Sequence, residues 1–318
     1  YLVIPDGFTV RGLEKAHEST LRFILYERLL GANIVEHNQI LVNPTTPTLN
    51  STSVKSLFDY VLIVDARDTV FQTNPFALIK NPLSTSNPMS LKGVHVFLEE
   101  SIIGTCGWNK GWIVDCFGES VLSLVQHNSV LCSGVTMGDM HSMYVYIHAM
   151  STIMQGKRLL LQSSFADPSQ VPFAFAAEKA ALVEKINSFN KFPRCERNGV
   201  DQGLHNILMH LGLLGGTSIQ IHKHEHFSYP VINMQTAMLI VSHRVDKGKV
   251  YMSGGQLYSI VHQYDRHTEL QQQLVTRYLT GLVSTNPIEE FTKSPDCAGY
   301  VSVADTDVLK RRCDLSSK

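Results

Sequence analysis

The chain lacks a charge bias. Its 318 residues carry 27 basic and 28 acidic side chains, a formal net charge of −1. No basic stripe interleaved with aromatics runs through it, so it carries no electrostatic footprint for a phosphate backbone, and nucleic acid is not an expected partner. It also lacks any run of about 18 apolar residues, the length needed to span a bilayer. Tyr1-Leu-Val-Ile-Pro5 runs straight into polar residues rather than into the apolar core of a secretion signal. Membrane association is therefore expected only through a segment outside this chain. No Cys-x-x-Cys occurs, which argues against a zinc ribbon. No internal repeat, low-complexity tract or clear linker divides the chain.

What is present is a core. Hydrophobic residues make up 44% of the sequence, enough for one large domain. The six cysteines are Cys106, Cys116, Cys132, Cys195, Cys297 and Cys313. An even number permits disulfides, and local pairs such as Cys106–Cys116 or Cys297–Cys313 are plausible; the alternative is that all are small buried hydrophobes. Asn50-Ser51-Thr52 is a glycosylation sequon. Together these features lean towards a secretory compartment.

The hydrophobic periodicity alternates strands with helices. A short strand is expected at Tyr1–Pro5, an amphipathic helix at Leu13–Leu30 ended by Gly31, and a helix tail at Lys55–Tyr60 feeding a strand at Val61–Val64. Further strands are expected at Gly93–Glu99 and Ser129–Thr136, with a Gly- and Trp-rich loop at Ile102–Trp112 and helices at Gly118–Gln126, Met140–Gln155 and Phe173–Phe189. A helix at Gly203–Leu214 follows Asp201-Gln202. Short strands then cluster at Ser218–His222, Met238–Val241, Lys249–Met252 and Ser259–His262, before a last helix at Asp265–Thr280. This order predicts an α/β single domain with a mixed, mostly parallel central sheet flanked by helices over residues 1–285, and a C-terminal extension over 286–318.

The chemistry concentrates where apolar strands end in polar residues. Val61–Val64 stop at Asp65-Ala-Arg67-Asp68, followed by Thr-Val-Phe71-Gln72-Thr-Asn-Pro75-Phe76. In open α/β sheets ligands sit just beyond the carboxyl ends of strands, and ionised carboxylates there suit a hard cation. The plainer reading has Asp68 capping a turn and Asp65 pairing with Arg67. Cys132-Ser133-Gly134-Val-Thr136-Met-Gly138 offers glycines where a backbone can approach a ligand closely, or simply a strand–turn–helix junction. Asn198-Gly-Val-Asp201-Gln202-Gly203 opens a helix. Asp201 is either its N-cap or a carboxylate that orients or deprotonates a hydroxyl. Ile260-Val261-His262-Gln263-Tyr264-Asp265-Arg266-His267 ends a strand in a histidine that can ligate metal or meet phosphate, with Arg266 and His267 adding positive charge. His222, His224 and His226, at spacing two, read as one face of a solvated strand.

Together these segments resemble the GT-A class of nucleotide-sugar-dependent glycosyltransferases, closest to the group whose signature runs aliphatic-x-Asp-x-Arg-Asp-Val-x-Phe-Gln-x-x-Pro-Phe. The match at Val64–Phe76 is close. It continues in order through Asn109 and Trp112, Cys132-Ser133-Gly134, Asp201-Gln202-Gly203 and Val261–His267, so the likeness covers about Arg22 to Tyr278. The resemblance implies a GT-A-like domain whose first nucleotide-binding strand is barely supplied by Tyr1–Asp6. It implies a nucleotide-sugar donor, UDP-sugar favoured, with Mn2+ or Mg2+ as cofactor and a glycan, glycoprotein or glycolipid acceptor. Asp65, Asp68 and His262 would hold the metal. Arg67, Ser133, Gly134 and Gln202 would join them around the donor, and Asp201 would be the catalytic, acceptor-facing carboxylate. The usual Asp-x-Asp is here Asp65-Ala-Arg67, with the second acid displaced to Asp68. A Golgi or ER lumenal address follows from the habit of that class. Two rivals use the same residues: a non-catalytic nucleotide- or sugar-binding relative, and an aspartate-nucleophile phosphatase, whose Asp-x-Asp-x-Thr sets its two acids one residue closer together than Asp65 and Asp68.

Overall fold

The computed structural model describes residues 16–37, 58–76, 92–160, 173–192, 194–223, 230–235 and 244–278. The strands expected at Tyr1–Pro5 and Met238–Val241, the sequon, Cys297, Cys313 and the C-terminal extension lie outside these residues. Among the described residues no helix is long and apolar enough to cross a membrane.

Helix α1 (Glu18–His37) is followed by β1 (Tyr60–Val64) and β2 (Thr69–Phe71). Next come β3 (Val94–Ile102), α2 (Gly107–Phe117), α3 (Glu119–Val125), β4 (Ser129–Asp139) and α4 (Met140–Met154). Helices α5 (Phe173–Phe189) and α6 (Val200–His210) precede β5 (Ile219–His222) and β6 (Val231–Asn233). A ribbon of β7 (Arg244–Asp246) and β8 (Lys249–Tyr251) leads to β9 (Ile260–His262), a 3-10 turn at Tyr264–Arg266, and α7 (Thr268–Tyr278).

The fold is mixed α/β, as the alternation predicts. Two sheets form its centre, one ordered β1-β4-β3-β5 and one ordered β2-β9-β6. The expectation of a mostly parallel sheet is corrected. Among the described residues β3–β5 and β6–β9 pair in parallel, whereas β1–β4, β3–β4, β2–β9 and β7–β8 are antiparallel. The cause lies between β3 and β4. A helix crossing back along the sheet would make the next strand parallel. Here α2 and α3 are two short helices that go out and return, so β4 starts opposite the end of β3, at Ile102↔Ser129.

Side-chain alternation assigns the layers. Val61 and Ile63 of β1, with Val94, Val96 and Leu98 of β3, face the main core under α1, α2, α3, α4 and α6. Tyr60, Leu62 and Val64, with Phe97, Val135 and Met137, face the second sheet through Val231 and Ile260. The next residues along those strands, Ile232 and Val261, turn to the far side and pack on Leu270 and Leu274 of α7.

Several boundaries differ from the periodicity. Helix α1 runs through Gly31 to His37 instead of stopping there. The loop expected at Ile102–Trp112 is half helix, since α2 begins at Gly107. Helix α6 starts at Val200, so Asp201 lies in its first turn and is not its N-cap. That cap position belongs to Gly199 at φ +84°, where a Cβ would also lie 2.4 Å from the Trp112 ring. The last helix starts at Thr268, after the 3-10 turn, rather than at Asp265. Cys116 is disulfide-bonded to Cys195 across a separation of 79 residues, not to Cys106, while Cys106 and Cys132 are free.

Candidate functional site

The site sits where the chain leaves the first sheet for the second. Asp65 N donates to Gly134 O at 2.9 Å, continuing the β1–β4 ladder one residue past the strand, and Gln263 N donates to Asp68 O at 2.8 Å at the end of β9. The two acids are thus tied to different sheets, and the bend between them spans the gap. Gln263 takes the left-handed conformation, φ 61°, which turns the chain out of β9 and leaves His262 as the last strand residue.

Asp65, Asp68 and His262 each bring one ligand atom within 4.8 Å of the others. His262 Nε2 lies 3.4 Å from Asp68 Oδ1 and 3.8 Å from Asp65 Oδ2. The His262 ring is 1% exposed, and Nε2 is buried without a hydrogen-bond partner. Buried nitrogens are seldom left so. Gly134 makes the space: a Cβ there would lie 2.5 Å from His262 Cε1 and 2.7 Å from both His262 Nε2 and Asp65 Oδ2. Two carboxylates and one imidazole around such a gap suit a divalent ion of the Mn2+ type.

The charges are strongly coupled. Burial opposes ionisation of Asp65, but Arg22 and His262 outweigh it and hold the carboxyl well below the usual carboxylate range. Burial likewise opposes ionisation at Asp68, where His262 more than offsets it. Burial works against a charged His262, yet Cys132 and the two carboxylates raise its pKa well above that of a free imidazole. Behind the ring, burial pushes the Cys132 thiol up to about 12 and raises Glu99.

The other half of the site is built around Arg22, on α1. Its side chain is only 12% exposed. One guanidinium nitrogen pairs with Asp65 Oδ1, and the other donates to Asp201 Oδ2 at 2.6 Å. Burial works against the charge on Arg22, but Asp201 and Asp65 outweigh it and raise its pKa further. Ser133 Oγ also donates to Asp201 Oδ2, at 3.1 Å. Gln202 accepts from Ser133 N and donates to Asn109, both at 3.4 Å. Asn206 fixes α6 against β4: it accepts from Leu131 N at 2.8 Å and donates to Leu131 O at 2.9 Å.

The sequence-predicted residues Asp65, Asp68, Ser133, Gly134, Asp201, Gln202 and His262 therefore meet in one place. Arg67 stands at the rim, exposed, with ion pairs to Asp68 at 3.6 Å and Asp265 at 3.5 Å; it does not pair with Asp65. Gly134 lies within β4 rather than at a strand–turn junction. His267 Nε2 lies 2.6 Å from Met234 O. His222 stacks on buried His95 with ring centroids 5.1 Å apart, while His224 and His226 lie outside the described residues. Sequence reasoning missed Arg22. The available signal was a lone cation inside the apolar stretch Leu21–Leu25, where a charge needs a partner.

No protein-family model matches this chain, and no curated protein or solved structure is detectably similar to it.

Proposed function

We propose that the chain is a metal-dependent glycosyltransferase of GT-A type, moving a sugar from a nucleotide-diphosphate donor, UDP-sugar favoured, to a hydroxyl of a glycan, glycoprotein or glycolipid. The observation that carries this reading is the Asp65–Asp68–His262 cluster at the end of β1, with a buried ring nitrogen lacking any hydrogen bond beside two carboxylates. Asp65, Asp68 and His262 would hold the ion, Mn2+ or Mg2+. When bound, such an ion supplies positive charge against which a diphosphate can leave.

The chain's own residues prepare that site. Arg22 occupies Asp65 Oδ1 and Arg67 approaches Asp68 Oδ2, so each acid turns its other oxygen towards His262. Arg67, at the exposed rim, also suits the donor diphosphate. Ser133, Gly134 and Gln202 line the place of the donor sugar. Asp201 receives Arg22 and Ser133 on Oδ2, and we assign Oδ1 to the acceptor or the transferred sugar, where a carboxylate can orient or take a hydroxyl proton. The Cys116–Cys195 disulfide favours an oxidising compartment, in keeping with a Golgi or ER lumenal address.

The test is thermal stability against UDP, GDP, CDP and ADP, each with and without Mn2+, followed by donor hydrolysis with the base that binds. A ligand selective for the folded state raises its stability. An Mn2+-dependent rise with one nucleotide and turnover of its sugar donor support the reading. No rise with any nucleotide and no turnover overturn it.

A further inference from the structure

The neighbour of His262 on the parallel strand is Asn233, paired with it in register. Its side chain is 1% exposed. Asn233 Nδ2 points to two backbone carbonyls of β3, Phe97 O at 3.2 Å and Leu98 O at 3.3 Å. Carbonyl oxygens only accept, so the amide nitrogen must face them and Oδ1 must face the other way. Oδ1 lies 2.9 Å from His262 Nδ1. An amide oxygen also only accepts, so Nδ1 must carry a proton. In a neutral ring the lone pair then falls on Nε2, the atom directed at Asp65 and Asp68. Cys132 Sγ, 3.5 Å from the same nitrogen, is a weaker and more distant partner.

We propose that Asn233 is the positioning residue of the site: β3 fixes the direction of its amide, and the amide fixes the tautomer and orientation of His262 so that Nε2 is presented as a metal ligand. This rests on the metal-site reading above and adds to it a residue in the second sheet. Without Asn233 Oδ1 the ring can place its proton on either nitrogen and can rotate, and a ring with its proton on Nε2 cannot ligate. Partners of this kind typically change metal affinity by roughly 10–100-fold.

The experiment compares wild type, Asn233→Leu, Asn233→Asp and His262→Gln. Mn2+ affinity is measured by titration. The His262 ring nitrogens are followed by 15N NMR in the metal-free protein, at a pH where the ring is neutral. We expect a wild-type ring protonated at Nδ1, a mixed or Nε2-protonated ring in Asn233→Leu with roughly 10–100-fold weaker Mn2+ binding, and a ring still protonated at Nδ1 in Asn233→Asp, which keeps an acceptor oxygen for Nδ1 but gives up the donor to Phe97 O and Leu98 O. A merely structural role would not move the ring proton. If Asn233→Leu fails to fold, the wild-type spectrum and Asn233→Asp still decide: an Nε2-protonated wild-type ring overturns the proposal. So does a wild-type Mn2+ affinity in folded Asn233→Leu when His262→Gln has lost it. If wild type binds no Mn2+, the metal reading fails separately, while the spectra still test whether Asn233 sets the tautomer.

Discussion

The two halves of this site are built on opposite terms. Around Arg22 the charges are paired: the guanidinium meets Asp65 and Asp201, and Ser133 and Gln202 close the network, although the buried Arg22 Nε has no hydrogen-bond partner of its own. Around His262 a buried nitrogen faces two carboxylates with no hydrogen bond, and a missing side chain at Gly134 keeps the space beside it clear. They share one residue, Asp65, which gives an oxygen to each. The difference separates scaffold from site. The Arg22 ion pairs join α1 to the end of β1 and to the first turn of α6, and we expect them to specify how these elements come together. A buried ring nitrogen without a hydrogen bond, facing two carboxylates, marks where a ligand is expected.

Substitutions should break the two halves differently. The largest effect is expected from Asp68→Asn or His262→Gln, each of which removes a proposed metal ligand. Metal-dependent turnover should be abolished while the protein remains folded by circular dichroism; turnover at the wild-type rate would refute the assignment. On the matched side, Arg22→Met should leave Asp65 and Asp201 without their cation and cost about 3–5 kcal/mol of folding stability. Urea denaturation would show it, and a cost within error of zero would mean that the network is not structural. Gly134→Ala tests the boundary. Its Cβ would meet His262 and Asp65, so we expect a loss of about 1–3 kcal/mol from overpacking together with weakened Mn2+ binding, read in the same titration.

The smallest effect is a control from a matched pair away from the site. Glu27 accepts from Ser151 Oγ and lies 2.6 Å from His148 Nδ1. Burial opposes its ionisation, but His148 and Ser151 outweigh it and lower its pKa. A carboxyl lowered on folding stabilises the fold above its unfolded pKa, about 4.3, and that contribution is lost as pH falls through the folded value. The difference in melting temperature between wild type and Glu27→Gln should therefore be full at neutral pH and shrink below pH of about 4. A difference independent of pH would remove the ionic explanation.

How legible this was in the sequence depends on range. Strands β1, β3 and β4 and helices α4 and α5 were readable because their apolar residues repeat locally. Asp65, Asp68, Asp201 and His262 were readable because each stands at an abrupt end or start of an apolar element. What stayed hidden depends on which strands lie side by side. The antiparallel pairing of β3 and β4 follows from two short helices cancelling each other. The Cys116–Cys195 bond spans 79 residues, and a guess from spacing favours near neighbours. Arg22 has its partners 43 and 179 residues away. Asn233 means nothing until β6 is known to lie beside β9.

We assign a divalent cation to Asp65, Asp68 and His262. Titrating Mn2+ into metal-free wild type, Asp68→Asn and His262→Gln, with the free ion followed by electron paramagnetic resonance, tests this assignment most directly. Wild type should bind one Mn2+ saturably, and both variants should lose that binding. No saturable binding by wild type, or the same binding in all three proteins, would contradict the assignment.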